Sequence, residues 1–216
     1  MKKIASPLFQ DLSEAELDTL AAAGHLRTRQ FAKHEVIFHA GSCVREIGIV
    51  LRGSVHIENL DLWGTKSILS SIGAGQAFAE TYAFCGEALM VDAVAAEHCE
   101  ILFLHTAAFT DARIEPALQD KLLRRLLAVS MRKNLSLSQR IFCTTPKTVR
   151  GRLLTYFSAQ AARCGRMEFE VPFNRQQMAD YLNLDRSALS KELCKMRDEG
   201  LLEFDKNRFV LKQLPE

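Results

Sequence analysis

The chain has no Cys-x-x-Cys pair, no His-x-His pair, and no apolar run near the about 18 residues that a membrane span needs. Its six cysteines (Cys43, Cys85, Cys99, Cys143, Cys164 and Cys194) are scattered without zinc spacing. In a reducing compartment such thiols are expected to be inert. His34, His39 and His56 are too far apart in sequence to suggest the clustered ligands of a barrel-type metalloenzyme of the cupin kind, so no metal site is expected. A P-loop, a nucleophile elbow and a Ser-His-Asp order are also missing, so catalysis is not expected. Lys2 and Lys3 precede a short apolar stretch, but Pro7, Gln10 and Asp11 interrupt it too early for a secretory signal. A cytoplasmic protein without membrane association is the expectation.

What is present begins with a charge asymmetry. The 216 residues carry a net charge of only +2 and are 48% hydrophobic, enough for a packed core. Residues 1–113 hold 9 basic and 14 acidic residues, whereas residues 114–216 hold 19 and 12. An acidic first half joined to a basic second half points to a polyanion-binding C-terminal part.

Ser13 and Glu16 form a capping-box pattern that opens a helix carrying Leu17 and Leu20 and ending near Gly24. Short β-type runs follow at Val36–Phe38, Ile47–Leu51, Ser54–Ile57 and Ser67–Leu69, separated by Gly41, Gly53, Gly64, Gly73 and Gly75. Two further strands flank Glu97-His98. This spacing reads as an all-β sandwich or barrel. Pro116 then starts a helix to about Phe142. Within it Leu123, Leu127, Ser130, Asn134, Leu137 and Ile141 follow a 4-3-4-3-4 spacing, a heptad seam that seeks a second helix and predicts a homodimer. Pro146 fits the first turn of a next helix that Gly165 stops, and Met167, Phe169 and Val171 alternate as a short strand.

The segment from Asn174 to Gly200 carries the functional signal. Asn174, with Gln177 three residues on, caps a short helix whose inner face is Met178, Ala179 and Leu182. After the Asn183-Leu184 turn, Asp185 caps a second helix with Leu189, Leu193 and Met196 inside, and Arg186, Ser187, Ser190 and Lys191 outside. Arg175, Gln176 and Lys195 complete the expected DNA-contacting set. This is a helix-turn-helix, whose second helix presents its N-terminal residues to the major groove. Runs at 201–204 and 208–211 then form a hairpin that completes a winged helix. The expected domains are 1–113, a sensor; 114–143, a dimerisation helix; and 144–216, the DNA-binding domain.

The order barrel, long helix, winged helix resembles the Crp/Fnr family of transcription regulators over nearly the full chain. In the first half the resemblance rests on Gly41, residues 50–55, Gly64 and Gly75-Gln76-Ala77-Phe78-Ala79-Glu80. In the second half it rests on residues 174–182 and 185–191, the more specific set. It implies an α+β fold: an N-terminal double-stranded β-helix (a jelly-roll, cyclic-nucleotide-binding-like barrel), a long dimerisation helix and a C-terminal winged helix-turn-helix. It also implies double-stranded DNA with two-fold symmetry and RNA polymerase as partners, and an effector site that includes Phe78, Glu80, Leu89, Met90 and Asn134. Lys191 stands where relatives commonly carry Arg, which leaves the half-site preference open. Glu80 matches the family's ribose-binding Glu. The Arg-Ser pair that would hold a cyclic phosphate falls on Leu89-Met90, so the resemblance argues against cyclic AMP. No cysteine precedes Cys43, so the ligands of an N-terminal iron–sulfur cluster are missing. Another small molecule, haem held by His56, His98 or His105, or a thiol switch at Cys85 or Cys99 remain as alternatives for the trigger.

Overall fold

A computed structural model describes residues 4–60 and 66–212; Gly64 lies outside them. The chain divides into two compact units, residues 1–132 and 133–216. The expected dimerisation helix spans that division.

The first unit opens with a 3-10 turn (Pro7–Phe9) followed by α1 (Glu14–Ala22), whose capping box is formed on both sides by Ser13 and Glu16. Eight strands follow: β1 (Leu26–Phe31), β2 (Val36–Phe38), β3 (Glu46–Arg52), β4 (Val55–Leu60), β5 (Lys66–Ile72), β6 (Ala77–Phe78), β7 (Asp92–Ala95) and β8 (Cys99–His105). They form two antiparallel sheets, ordered β1-β8-β3-β6 and β2-β7-β4-β5. The jelly roll is therefore two open sheets rather than one closed barrel. Phe38 from one sheet meets Phe78 and Phe103 of the other with ring centroids 5.8 and 5.6 Å apart, and Val50, Val55, Ala95 and Ile101 fill the space around them. Gly48 on β3 is required by this packing. A Cβ there would lie 2.2 Å from the Phe78 ring.

β1 was not legible in the sequence. Four of its residues in succession are exposed, so it lacks the alternation of a half-buried strand. It is held by pairing with β8 from Leu26–Leu104 to Phe31–Cys99, with Arg27 lying over the Phe103 ring. A short helix, α2 (Glu80–Cys85), also follows β6 without a sequence signal; its cap residue Ala79 has φ +61°.

The long helix α3 runs Pro116–Thr144. Leu118, Leu122 and Leu126 are buried with Leu8, Leu17, Leu20 and Leu104 of the first unit. Salt bridges from Lys121 to Glu16 and from Arg125 to Asp11 fasten the same stretch. The heptad seam points elsewhere. Leu123, Leu127, Asn134, Leu137 and Ile141 are exposed, and Ser130 is half-buried.

The second unit continues with α4 (Val149–Cys164), β9 (Glu168–Glu170), α5 (Arg175–Leu182), α6 (Arg186–Asp198), β10 (Leu202–Asp205) and β11 (Arg208–Leu211). Pro146 does not sit in the first turn of α4. The helix starts three residues later, where the Thr148 hydroxyl accepts from the Gly151 N–H at 3.0 Å. Gly165 ends it at φ +65°, as expected. Phe169 and Val171 are buried, whereas Met167 is exposed and lies outside the strand. The core gathers Leu153, Phe157, Phe169, Phe209 and the inner faces of α5 and α6.

Candidate nucleic-acid interface

Local chemistry positions α5 and α6. Asn174 Oδ1 accepts from the Gln177 N–H and Gln177 Oε1 accepts from the Asn174 N–H, both at 2.9 Å, so the first turn of α5 is capped reciprocally. At the other end Asn183 adopts φ +52° and turns the chain. Two arginines close that end. Arg140 of α3 donates to the carbonyls of Asp180 and Tyr181, both at 3.0 Å. Arg152 of α4 donates to those of Leu182 and Asn183, at 3.1 and 2.7 Å. Cations at a helix C-terminus meet the negative end of its dipole and satisfy carbonyls that have no helical partner. Sequence reasoning missed both arginines, because each reaches its partner across 30 residues or more.

Asp185 starts α6 by accepting from the Ala188 N–H at 2.9 Å. The Ser187 hydroxyl also donates to this carboxylate, and the two bonds hold the carboxyl below its ordinary range. Ser187 thus spends its proton on the cap and keeps only its acceptor capacity outward. Leu189, Leu193 and Met196 are fully buried. Arg186, Lys191 and Lys195 are exposed and have no ion-pair partner among the described residues, and Ser190 is half-buried between them. Glu192, the one acid on the first two turns, is taken by Arg150 at 2.6 Å, and Arg150 also grips Glu199 at 2.8 Å. Those carboxylates raise the Arg150 pKa above its usual value, and Arg150 in turn lowers that of Glu199. The charge left on the outer face of α6 is therefore positive, as phosphate and base-edge contacts require.

The wing is the hairpin β10–β11, whose register pairs Leu202 with Leu211 and Asp205 with Arg208, leaving Lys206 and Asn207 as its tip. Between the wing tip, the start of α5 and the start of α6 runs a groove of about 670 Å3, lined by Asn174, Arg175, Gln176, Arg186, Lys206 and Asn207 among others. Among the described residues its lining holds three cations and no acid. Lys206 and Asn207 were not singled out by the sequence, since a turn residue carries no mark of what it faces. Gln176 is exposed at this groove, its amide donating to Asp180 Oδ1. Arg175 departs from the expected exposed contact. It is half-buried, with its guanidinium carbon over the rings of Phe204 and Phe209.

The expected effector residues of the first unit do not share one environment. Phe78 is buried between the sheets, Glu80 is 6% exposed at the start of α2, and Leu89 is 5% exposed beside the Cys43–Ala88 bridge. Met90 is 77% exposed. Asn134 belongs to the second compact unit, where Oδ1 accepts from the Ser138 hydroxyl at 3.4 Å. A cavity of about 250 Å3 between α2 and α3 brings Glu80 together with Phe84, Cys85, Leu123, Leu127 and Ser130. Among the described residues, its lining apart from Glu80 is of neutral side chains. His56 sits 3.7 Å from a Glu58 carboxylate oxygen, His98 is exposed, and His105 Nδ1 accepts from the Ala107 N–H at 3.0 Å. Cys99 is buried, which pushes its thiol pKa up, whereas Cys85 is exposed. No group of His, Cys, Asp and Glu suited to a metal ion occurs among the described residues. No described helix is long and apolar enough to cross a membrane.

Two family models match the chain: the cyclic nucleotide-binding domain over residues 28–113 and the Crp-like helix-turn-helix domain over residues 151–216. No curated protein sequence matches it. Among solved structures, the catabolite activator protein of Thermus thermophilus is similar at 25% identity, with 96% of this chain and 94% of that chain covered and a TM-score of 0.50. FixK2 from Bradyrhizobium japonicum shares the fold at 19% identity, covering 87% and 93%, with a TM-score of 0.52. So does CprK in its complex with OCPA, at 13% identity, covering 94% and 91%, with a TM-score of 0.64. A jelly-roll domain, a long helix and a winged helix with a cationic reading face define a transcription regulator of the DNA-binding kind. The chain belongs to the Crp/Fnr family.

Proposed function

We propose that the protein is a homodimeric regulator that reads a two-fold symmetric DNA site through α6 and is controlled by an effector held in the first unit. The observation that carries the DNA reading is the outer face of α6, where Arg186, Lys191 and Lys195 are exposed and form no ion pair among the described residues while Glu192 is withdrawn by Arg150. Arg186 is the base reader, since a guanidinium takes guanine in a bidentate pair. Gln176, Ser187, Ser190, Lys191 and Lys195 supply further polar and phosphate contacts. The seam of α3 supports the dimer. Leu123, Leu127, Leu137 and Ile141 are exposed, a costly arrangement unless a second copy covers them. Two recognition helices about 34 Å apart would then meet successive major grooves. The side chains of Leu89 and Met90, at the positions of the family's Arg-Ser pair, offer nothing to a phosphate, which argues against cyclic AMP as the effector. Glu80 lines the cavity between α2 and α3 that would receive it, Phe78 precedes it in the core between the sheets, and Asn134 marks the helix position implied by the family resemblance. RNA polymerase is the expected partner at the promoter, and the cytoplasm the expected location.

The test is enrichment of duplexes from a randomised library, followed by affinity measurements at two salt concentrations. Arg186→Ala is expected to lose roughly 10–100-fold in affinity for the enriched duplex and to relax preference at one base pair. Retained preference at every position would remove Arg186 from the reading set. For the dimer, Leu137→Asp is expected to give monomers by sedimentation, with specific binding lost. A wild-type monomer that still binds the enriched duplex would refute the dimer.

A further inference from the structure

Arg175 occupies a position that costs free energy in three ways. It is the first residue of α5, so its positive charge sits at the positive end of the helix dipole. Its Nη1 is buried and has no hydrogen-bond partner among the described residues. Burial also lowers its pKa from the ordinary arginine value. What offsets these costs is the wing. The guanidinium carbon lies 4.9 Å from the centroid of Phe204 and 5.1 Å from that of Phe209. These two residues are directly opposed across the hairpin, Phe204 on β10 and Phe209 on β11. The next pair outward, Asp205 and Arg208, leads straight to the Lys206-Asn207 tip. Phe209 is fully buried and its ring stands 4.6 Å from Phe157 of α4, so the inner end of the hairpin is anchored in the core. Phe204 is only half-buried, and Arg197 of α6 lies over the same ring at 5.5 Å. The outer half of the wing is tied to the β9 side by hydrogen bonds between Asn207 and Val171 and by the pairing of Arg208 with Glu170, and its α5–α6 side is held by arginine faces more than by apolar burial.

We propose that Arg175 is a positioning residue for DNA binding: its planar guanidinium, laid over the Phe204–Phe209 pair, fixes the wing tip across the groove from Arg186, and Arg175 itself reads no base. The inference rests on the reading of α6 as the recognition helix. It assigns the wing tip, through Lys206, to the phosphate backbone beside the bases that α6 meets. Lysine cannot replace arginine in this role, because a compact ammonium lacks the flat face that covers two rings.

The experiment uses the full-length protein and the duplex that wild type enriches from a randomised library. Affinities are measured for wild type, Arg175→Lys, Arg175→Ala and Phe204→Leu, on that duplex, on its single-base variants, and across a salt series. Arg175→Lys, Arg175→Ala and Phe204→Leu are each expected to weaken binding on the order of tenfold. The preference at every base position should stay as in wild type, and the salt slope should fall by roughly one phosphate contact. Arg175→Lys is the decisive variant, since it keeps the charge and spares the fold. Wild-type affinity in Arg175→Lys would overturn the proposal in favour of a plain charge contact. A loss confined to one base pair would overturn it in favour of base reading. Lowered melting temperature with unchanged DNA affinity would reduce Arg175 to a stability role. If wild type enriches no duplex at all, the DNA reading fails first and Arg175 with it, and that result is distinct from the other three.

Discussion

The two units use their charged residues differently. In the first unit, most charged side chains pair at the rim, although Glu58 and Glu80 are buried. Arg27 pairs with Glu46 at 2.5 Å and Asp111 holds Arg113 at 2.7 Å, while the cavity between α2 and α3 is lined by Leu, Phe, Cys and hydroxyl side chains with Glu80. In the second unit, arginines build the fold from within: Arg140 and Arg152 close α5, Arg150 ties α4 to α6, and Arg175 lies under the wing. The difference shows that the basic composition of the second half is not one signal. Part of it is architecture, and part faces outward, with Arg186, Lys191, Lys195 and Lys206 on the helix-turn-helix and wing. Counting positive residues therefore overstates the phosphate-binding surface, and setting aside the paired arginines narrows it.

The largest effect that sharpens this contrast comes from the core of the reading helix. Leu193 is fully buried beneath the outer face of α6, so Leu193→Ala is expected to destabilise the second unit by about 2–5 kcal/mol. Calorimetry should show the transition of that unit shifted and that of the first unit unmoved. A single shared transition, shifted as a whole, would break the picture of two separately held cores. A smaller effect tests the cap. The Asp185 carboxyl is held below its ordinary range, first by the Ser187 hydroxyl and then by the Ala188 N–H. A carboxyl depressed in the folded state contributes stability that is present above its unfolded pKa and lost as pH falls through the folded value. Wild type should therefore hold a melting-temperature advantage over Asp185→Asn at pH 6 that shrinks below pH 4 and is gone by about pH 2. An advantage that does not change with pH would mean that the charge plays no part in the cap. The smallest effect lies in the first unit. Ala79 is held in the left-handed region at φ +61°, a conformation that favours glycine. Ala79→Gly should relieve that strain and stabilise the first unit on the order of 1 kcal/mol, read as a raised melting temperature.

The second unit was legible in sequence because its signals are local. Asn174 with Gln177, and Asp185 before Arg186, cap helices through contacts three residues long, and the inner faces of α5 and α6 repeat at helical spacing. Those same signals place Arg186, Ser187, Ser190 and Lys191 on the outer face without any tertiary information. Arg175 looked like one of them, being adjacent to Gln176. Its neighbours in space, Phe204 and Phe209, come from about 30 residues further on, where no local pattern points back to it. The first unit was legible as a succession of strands but not as a site. β1 hid because its exposed residues do not alternate, and α2 hid because six residues are too few to show a helical period.

The chain alone determined that there is a β-rich first half, a long helix with a seam, and a capped helix-turn-helix, since strand alternation, heptads and caps are written within a few residues of each other. It also determined which residues lie inside α5 and α6. Only the tertiary structure decided which charges are spent: Arg150 on Glu192, Arg140 and Arg152 on the end of α5, and Arg175 on the wing rings. It likewise decided that Glu80 meets Leu123 and Leu127 across a cavity while Met90 faces outward. The physical reason is range. A hydrogen bond within one turn is set by the backbone it belongs to, whereas a contact between distant segments exists only once the sheets and helices have closed around it.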